Sequence, residues 1–289
     1  MAQVLVGKWG FLWAMRRQIV LRDDLPRNTR PVQHFTPTLN DLDFMTVHIL
    51  TPDDHVFSMN RVAARMGFLS LGAEVRMFTP DSFDELELNE GDIVVGGVGF
   101  AQKGMRRLGL TVPVIDSIPD PLMPFAGRRV WQSTMKELRA RVSAGETIFA
   151  KPRPDRLKLF TGQLCSSFRD LIPTAHIPDE EPVDCADPIT LLTEYRCFVL
   201  RGDVIDIRSY TGEPLRFPDP GVIADAVKAY ADGPMGYALD GGVTDDGRTV
   251  VIEVNDGYAI GAYGLAPIQY ANLITARWDE IRKDSHGSG

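Results

Sequence analysis

The spacing of apolar and polar positions changes character twice along the 289 residues. Residues 1–43 show no clean period and carry Pro26, Pro31 and Pro37, which reads as an irregular N-terminal extension. From Thr46 the pattern becomes regular. Thr46–Leu50 predicts a short strand. Asp53 and Asp54 then offer a helix N-cap, and Val56, Met59, Val62, Ala63, Met66 and Leu69 recur at helical spacing up to Gly72. Val75–Phe78 predicts a second strand, and Asp92–Val95 a third that ends in Gly96-Gly97-Val98-Gly99. A helix over 102–108 and a fourth strand over Val112–Ile115 follow. Strands alternating with helices imply a parallel sheet, so 44–125 reads as an α/β domain with ligand space at its strand C-termini.

Near residue 126 the pattern changes again. It predicts a helix over Thr134–Val142 and a strand over Thr147–Ala150 running into Lys151-Pro152. Two β-hairpins come next, separated by a helix near 221–231, and an amphipathic helix over about 267–283 closes the chain. Hairpins imply antiparallel pairing, so 126–283 reads as an α+β domain and 284–289 as a polar tail.

Composition narrows the classes. At 44% hydrophobic and 24% charged, the chain can bury a real core. Lys plus Arg number 31 against 39 Asp plus Glu, a net charge of −8, which argues against a nucleic-acid or membrane-surface binder but leaves room for a local basic site. Three cysteines (Cys165, Cys185, Cys197) with no CxxC pair argue against a zinc site or disulfide framework and for the cytoplasm. No apolar run is long enough to span a membrane. Met1–Met15 is apolar but interrupted by Lys8, followed by Arg16-Arg17 and without a small-residue cleavage site, so it does not read as a signal peptide. Gly96–Gly99 lacks the spacing of a dinucleotide loop and lies on the third strand; a strand exit is the better reading.

The strongest chemical signal lies in Tyr237–Asn255. Asp246-Gly247 suits a two-residue turn closed by Asp245 and Arg248. That register sets Asp240 opposite Glu253 on one face, with Asn255 two residues further along the same face. Opposed carboxylates repel unless a cation compensates, and two carboxylates with an amide oxygen are hard ligands suited to Mg²⁺. The apolar run around Glu253 covers both faces, where unpaired acids are rare. A second hairpin, Glu194–Tyr210, turns at Arg201-Gly202 and carries Glu194, Arg196 and Arg208. A two-residue loop alone puts the two arginines on opposite faces, and a bulged three-residue loop brings them together. A third element is the strand-end Lys151, followed by Arg153, Arg156, Lys158 and Thr161-Gly162, a basic loop able to neutralise a polyphosphate.

In chain order, a strand-end Lys-Pro, a basic loop, an E-x-R-x-F-V hairpin ending in Arg, and Asp…Glu-x-Asn resemble the ATP-grasp superfamily. They are closest to the clade with two signature arginines and one lysine, to which RimK-type ligases are related. The resemblance covers about 126–283 and implies an α/β pre-ATP-grasp domain followed by an α+β ATP-grasp domain. It implies that Lys151 meets the nucleotide, that the backbone at Leu191 and Leu192 holds adenine, and that Glu194 binds ribose. It further implies Arg196 and Arg208 near phosphate or acyl-phosphate, and Asp240, Glu253 and Asn255 as Mg²⁺ ligands. The additional upstream lysine of many relatives has no clear match; Lys136 and Arg128-Arg129 are candidates. The implied activity is ATP- and Mg²⁺-dependent ligation of a small-molecule or peptide carboxylate to an amine through an acyl-phosphate, with a nucleotide-binding regulatory protein of the same fold as the alternative. Cys197 alternates away from Arg196 and reads as a core thiol. The loop Tyr258–Leu265 either lines the acceptor site or packs its tyrosines under the last helix.

Overall fold

The computed structural model describes residues 45–51, 58–156 and 159–287. The extension at 1–43, the Asp53-Asp54 cap, Val56 and Lys158 lie outside the described residues. The first layer comprises β1 (Thr46–Leu50), α1 (Met59–Ser70), β2 (Glu74–Phe78), β3 (Ile93–Val95) and α2 (Gly97–Arg107). The three strands form a parallel sheet in the order β2-β1-β3. The central strand β1 is buried over nearly its whole length, as expected of a parallel strand covered on both faces. Within α1, Ala63, Ala64, Gly67 and Phe68 turn inward, and Gly72 follows its end with φ +85°. The glycine cluster after β3 opens α2 directly.

The expected fourth strand at Val112–Ile115 does not form. Pro113 has no N–H to give a ladder, and the segment instead crosses toward the second half of the molecule, where Pro113, Val114 and Ile115 line a cavity.

The second layer has two antiparallel sheets. The smaller comprises β4 (Val130–Thr134), α3 (Met135–Ser143), β5 (Ile148–Pro152), β6 (Gln163–Cys165), α4 (Phe168–Leu171) and β7 (Pro182–Ala186), with strand order β4-β7-β5-β6. Thr134 caps α3 by accepting from the Glu137 N–H, and a Ser167/Asp170 capping box starts α4. The larger comprises β8 (Leu191–Leu200), β9 (Asp203–Gly212), α5 (Pro220–Ala229), β10 (Gly236–Thr244) and β11 (Thr249–Asp256), in the order β11-β10-β8-β9, and the chain closes with α6 (Pro267–His286). That helix runs past the expected end: Ser285 and His286, read as polar tail, are helical, and the Ser285 hydroxyl accepts from the Thr111 N–H and donates to the Ile281 carbonyl.

The large sheet is covered on both faces. Phe198 and Ala238 join the core shared by the parallel sheet, α1 and α6, whereas Cys197, Val199 and Leu239 pack with Ile223 and Ala226 of α5. The three cysteines are buried and free. Among the described residues no helix is long and apolar enough to cross a membrane.

α1 approaches the start of α6 closely at Gly67. A Cβ built there would collide with the Pro267 carbonyl oxygen and lie 2.9 Å from the Ala271 Cβ. Backbone cannot yield as a side-chain end can, so Gly67→Ala is expected to destabilise the protein by about 1–3 kcal/mol. Urea denaturation would measure it; an unchanged midpoint would mean that the two helices are not in contact at this residue.

Candidate active site

Two local irregularities build the site. The β10–β11 hairpin turns over three residues, Asp245–Gly247, rather than the two expected: Thr244 pairs with Arg248, the Thr244 N–H donates to the Arg248 carbonyl, and Gly247 takes φ +83°. That shifts the register by one. A bulge at Ile252 then shifts it back, so Asp240 does stand opposite Glu253, as expected, and Ala238 opposite Asn255. Arg128 holds this bulge, donating to the carbonyls of Val251 (3.3 Å) and Ile252 (3.4 Å). In β8–β9 the turn is the two-residue one, with Arg201 at φ +53° and Gly202 at φ +81°. A bulge at Ile205 restores the pairing of Arg196 with Arg208, so the two arginines share a face without a three-residue loop.

The outcome is a single row across the four strands. Arg208 of β9 is opposite Arg196 of β8, Arg196 opposite Asp240 of β10, and Asp240 opposite Glu253 of β11. Directly opposed residues in an antiparallel ladder project from the same face. The Arg196 fork closes on Asp240, with Nε to Oδ1 at 2.8 Å and Nη2 to Oδ2 at 2.6 Å, and the side chains are only 9% and 3% exposed. Arg208 instead brings both Nε and Nη2 to the single Oδ2 of Asp206. Lys151 arrives from β5 in the other sheet and donates to Glu253 Oε2 at 2.6 Å. The Asn255 amide nitrogen lies 3.1 Å from Asp240 Oδ2 and 3.2 Å from Glu253 Oε1. Asp240, Glu253, Asn255, Arg196 and Lys151 are therefore one cluster.

The cluster opens into a cavity of about 420 Å³ between the two sheets, walled by Phe149 of β5, by Phe160 and Gly162 ahead of β6, by Ile115 and Ser117, and by Tyr258–Gly261. Beside it, Arg153 bridges Asp116 (3.0 Å) and Asp184 (3.3 Å), and Arg156 faces Glu181, so much of the basic loop is already matched by acids. Glu194 shares the Arg196 face and accepts from the Tyr210 hydroxyl at 2.8 Å. Leu191 and Leu192 open β8 half-buried and are not on the cavity wall; the Leu192 carbonyl accepts from the Glu213 N–H.

Burial works to raise the Glu253 carboxyl, but the Lys151 charge and hydrogen bond, with the Asn255 amide, outweigh it and hold the group below the usual glutamate range. Asp240 is pushed up by burial against the pull of Arg196. Burial also opposes the Arg196 charge, yet the bond to Asp240 keeps that guanidinium firmly protonated. Cys197 is pushed up to about 12 by burial, which leaves an inert thiol on the opposite face, as its alternation predicts.

The loop after β11 divides its tyrosines. Tyr258 is buried, accepting from the Gln102 amide at 2.9 Å, while Tyr263 lies over Arg196. Tyr258 packs under the last helix, as one alternative for this loop expects, and Tyr263 does not. Arg128, Asp184 and Tyr263 are the site neighbours that residue patterns did not single out for these roles. Only the tyrosine-rich loop hinted at one of them.

The donor set fits a hard divalent cation. Two carboxylate oxygens converge within about 3 Å of one point, now taken by the Asn255 amide nitrogen, and rotating that amide would present its oxygen instead. Among the described residues no group of three or more His, Cys, Asp or Glu is placed to hold a metal, so the amide is needed to complete this set.

A family model for an ATP-grasp domain, that of the second family in the clade named for two arginines and one lysine, matches residues 125–273. Among solved structures, N5-carboxyaminoimidazole synthetase from Staphylococcus aureus is similar with a TM-score of 0.52 at 11% identity, over 81% of this chain and 77% of that one. Its complex with ADP gives 0.51 over the same shares. D-alanine–D-alanine ligase from Bacillus anthracis gives 0.49 at 14% identity, over 83% of this chain and 99% of that one. A search of curated proteins finds no match. At 11% identity the likeness to the synthetase structures speaks to the fold alone.

The two ion pairs differ in depth, and so should the cost of breaking them. Asp240→Ala strands a buried guanidinium and is expected to cost about 3–5 kcal/mol of stability. Lys151→Ala breaks a pair whose partners are 20% and 32% exposed, and is expected to cost no more than about 1–2 kcal/mol. Equal losses in urea denaturation would contradict this ranking.

Proposed function

The chain belongs to the ATP-grasp superfamily, in the second family of its two-arginine, one-lysine clade, and from that premise we propose that it is an ATP- and Mg²⁺-dependent carboxylate–amine ligase. The observation that carries the reading is the charged row Arg208–Arg196–Asp240–Glu253, met from the other sheet by Lys151, with Arg196, Glu253, Asn255 and Lys151 lining one cavity. A regulatory nucleotide binder has no need of converging carboxylates beside two clamped arginines.

In this reading a substrate carboxylate oxygen attacks the γ-phosphorus of ATP, the bond to the β-phosphate bridging oxygen breaks, and ADP leaves. An amine then attacks the acyl carbon, phosphate departs with the C–O bond pair, and the nitrogen gives up a proton. Neither step requires a protein nucleophile; both develop negative charge that fixed cations stabilise. Lys151 would meet the phosphates on the nucleotide side, with Lys158 following it in the basic loop. Glu194 is assigned to ribose, and the backbone near Leu191 and Leu192 to adenine. Arg196 and Arg208 neutralise the transferred phosphoryl group and the acyl-phosphate. Asp240, Glu253 and Asn255 would hold Mg²⁺, which when bound supplies charge neutralisation at the phosphates. Phe149 and Phe160 give the cavity an apolar wall. The proposed substrates are small: an amino acid or short peptide as carboxylate or amine, handled in the cytoplasm.

Incubation with Mg²⁺-ATP and pooled amino acids and short peptides, followed by mass spectrometry, should yield ADP, phosphate and a condensed product together. AMP in place of ADP would replace this mechanism by adenylation. Glu253→Gln should lower turnover by at least about 100-fold. Turnover unchanged in that variant would remove Glu253 from the site.

A further inference from the structure

Tyr263 has a conformation and position that the core does not account for. Among the described residues only it and Arg201 are non-glycines with left-handed φ, and Arg201 owes this to the β8–β9 turn. Tyr263, at φ +42°, is followed by Gly264 at +86°. Its flanks are pinned: the Ala262 N–H donates to Asn60 Oδ1 (2.8 Å), the Leu265 N–H to the Ala262 carbonyl (2.7 Å), and the Tyr270 hydroxyl to the Ile260 carbonyl (2.6 Å). Ala262 and Leu265 are buried, yet Tyr263 between them is 47% exposed. Its ring lies 4.7 Å from the Arg196 guanidinium carbon and 5.2 Å from the Tyr210 ring. Gly261 makes room for it, since a Cβ there would come within 2.7 Å of the Tyr263 ring and 3.5 Å of Arg196 Nη1.

Arg196 commits Nε and Nη2 to Asp240, and no hydrogen bond to protein engages Nη1 among the described residues. The carboxylate fixes the guanidinium in its own plane, and a ring on its face resists tilting out of that plane; of the two rings there, Tyr263 is the nearer at 4.7 Å, with Tyr210 at 6.0 Å. We infer that Tyr263 is a positioning residue that holds Arg196 so that Nη1 meets the γ-phosphoryl group of bound ATP. The inference rests on the ligase reading of the same cavity. A strained backbone carrying a half-exposed aromatic ring is the kind of feature that persists at sites where pre-organisation matters.

Calorimetric titration of the full chain with Mg²⁺-AMPPNP and Mg²⁺-ADP separates this role from a structural one. Tyr263→Ala should weaken AMPPNP binding by about tenfold and leave ADP within about twofold, while Tyr263→Phe, which keeps the ring, should match the wild type. Arg196→Lys should show the same selective loss, and adding Tyr263→Ala to it should cost nothing more. Equal losses for the two nucleotides, no loss, or additive losses in the double variant would overturn the role. Wild-type protein that binds neither nucleotide would overturn the ligase reading and this inference with it.

Discussion

The buried fork of Arg196 on Asp240 is the contact on which the rest of the site depends. A lone carboxylate at that depth would be neutralised by protonation, and a lone guanidinium would disrupt the sheet around it. Paired, they let the large sheet carry Asp240 directly opposite Glu253, an arrangement of like charges that a strand pair otherwise resists. Lys151 completes the balance from the other sheet. The two sheets are thus connected by charge across the cavity as well as by the chain that passes between them.

Much of this was legible in the residues, though partly through cancellation. A two-residue turn and a regular ladder would set Asp240 opposite Glu253. Neither condition holds: the loop has three residues and the ladder a bulge, and each offsets the other. The pairing of Arg196 with Arg208 depended on a bulge at Ile205 that no local residue preference announces, because bulges answer to sheet twist and to neighbours such as Arg128, which holds the bulge at Ile252. The small sheet was legible only at β5. Its other strands are short, and their burial comes from α3 and from each other rather than from any alternation of their own. At Val112–Ile115 an apolar run suggested a strand, and Pro113 decided otherwise.

The position of the site follows from how the cores are shared. Phe198 and Ala238 enter the same apolar cluster as the parallel sheet, α1 and α6, whereas Arg196, on the same face, lines the cavity and holds the buried Asp240 beside it. One face of the large sheet is therefore core at one end and site at the other. The loop after β11 joins the two: Tyr258 and Ile260 are buried in the cluster and, with Gly261, also border the cavity. A shift of α6 against α1 would reach the site through this loop, by way of the Ile260 carbonyl that Tyr270 holds.

The same pairing that makes the site stable also governs what can enter it. Lys151 is matched to Glu253, Arg196 to Asp240, Arg208 to Asp206 and Arg153 to Asp116 and Asp184. An anion drawing Lys151 away would leave Glu253 a partly buried, uncompensated carboxylate, and a cation taking Glu253 would leave Lys151 in search of an anion. Each entry on its own breaks an ion pair, whereas joint entry replaces one internal pair by two external ones and leaves no charge unmatched. On the ligase reading, a polyphosphate and a divalent cation arriving together would satisfy these charges in a way that neither would separately, and the internal matching of charges along the row is the physical reason.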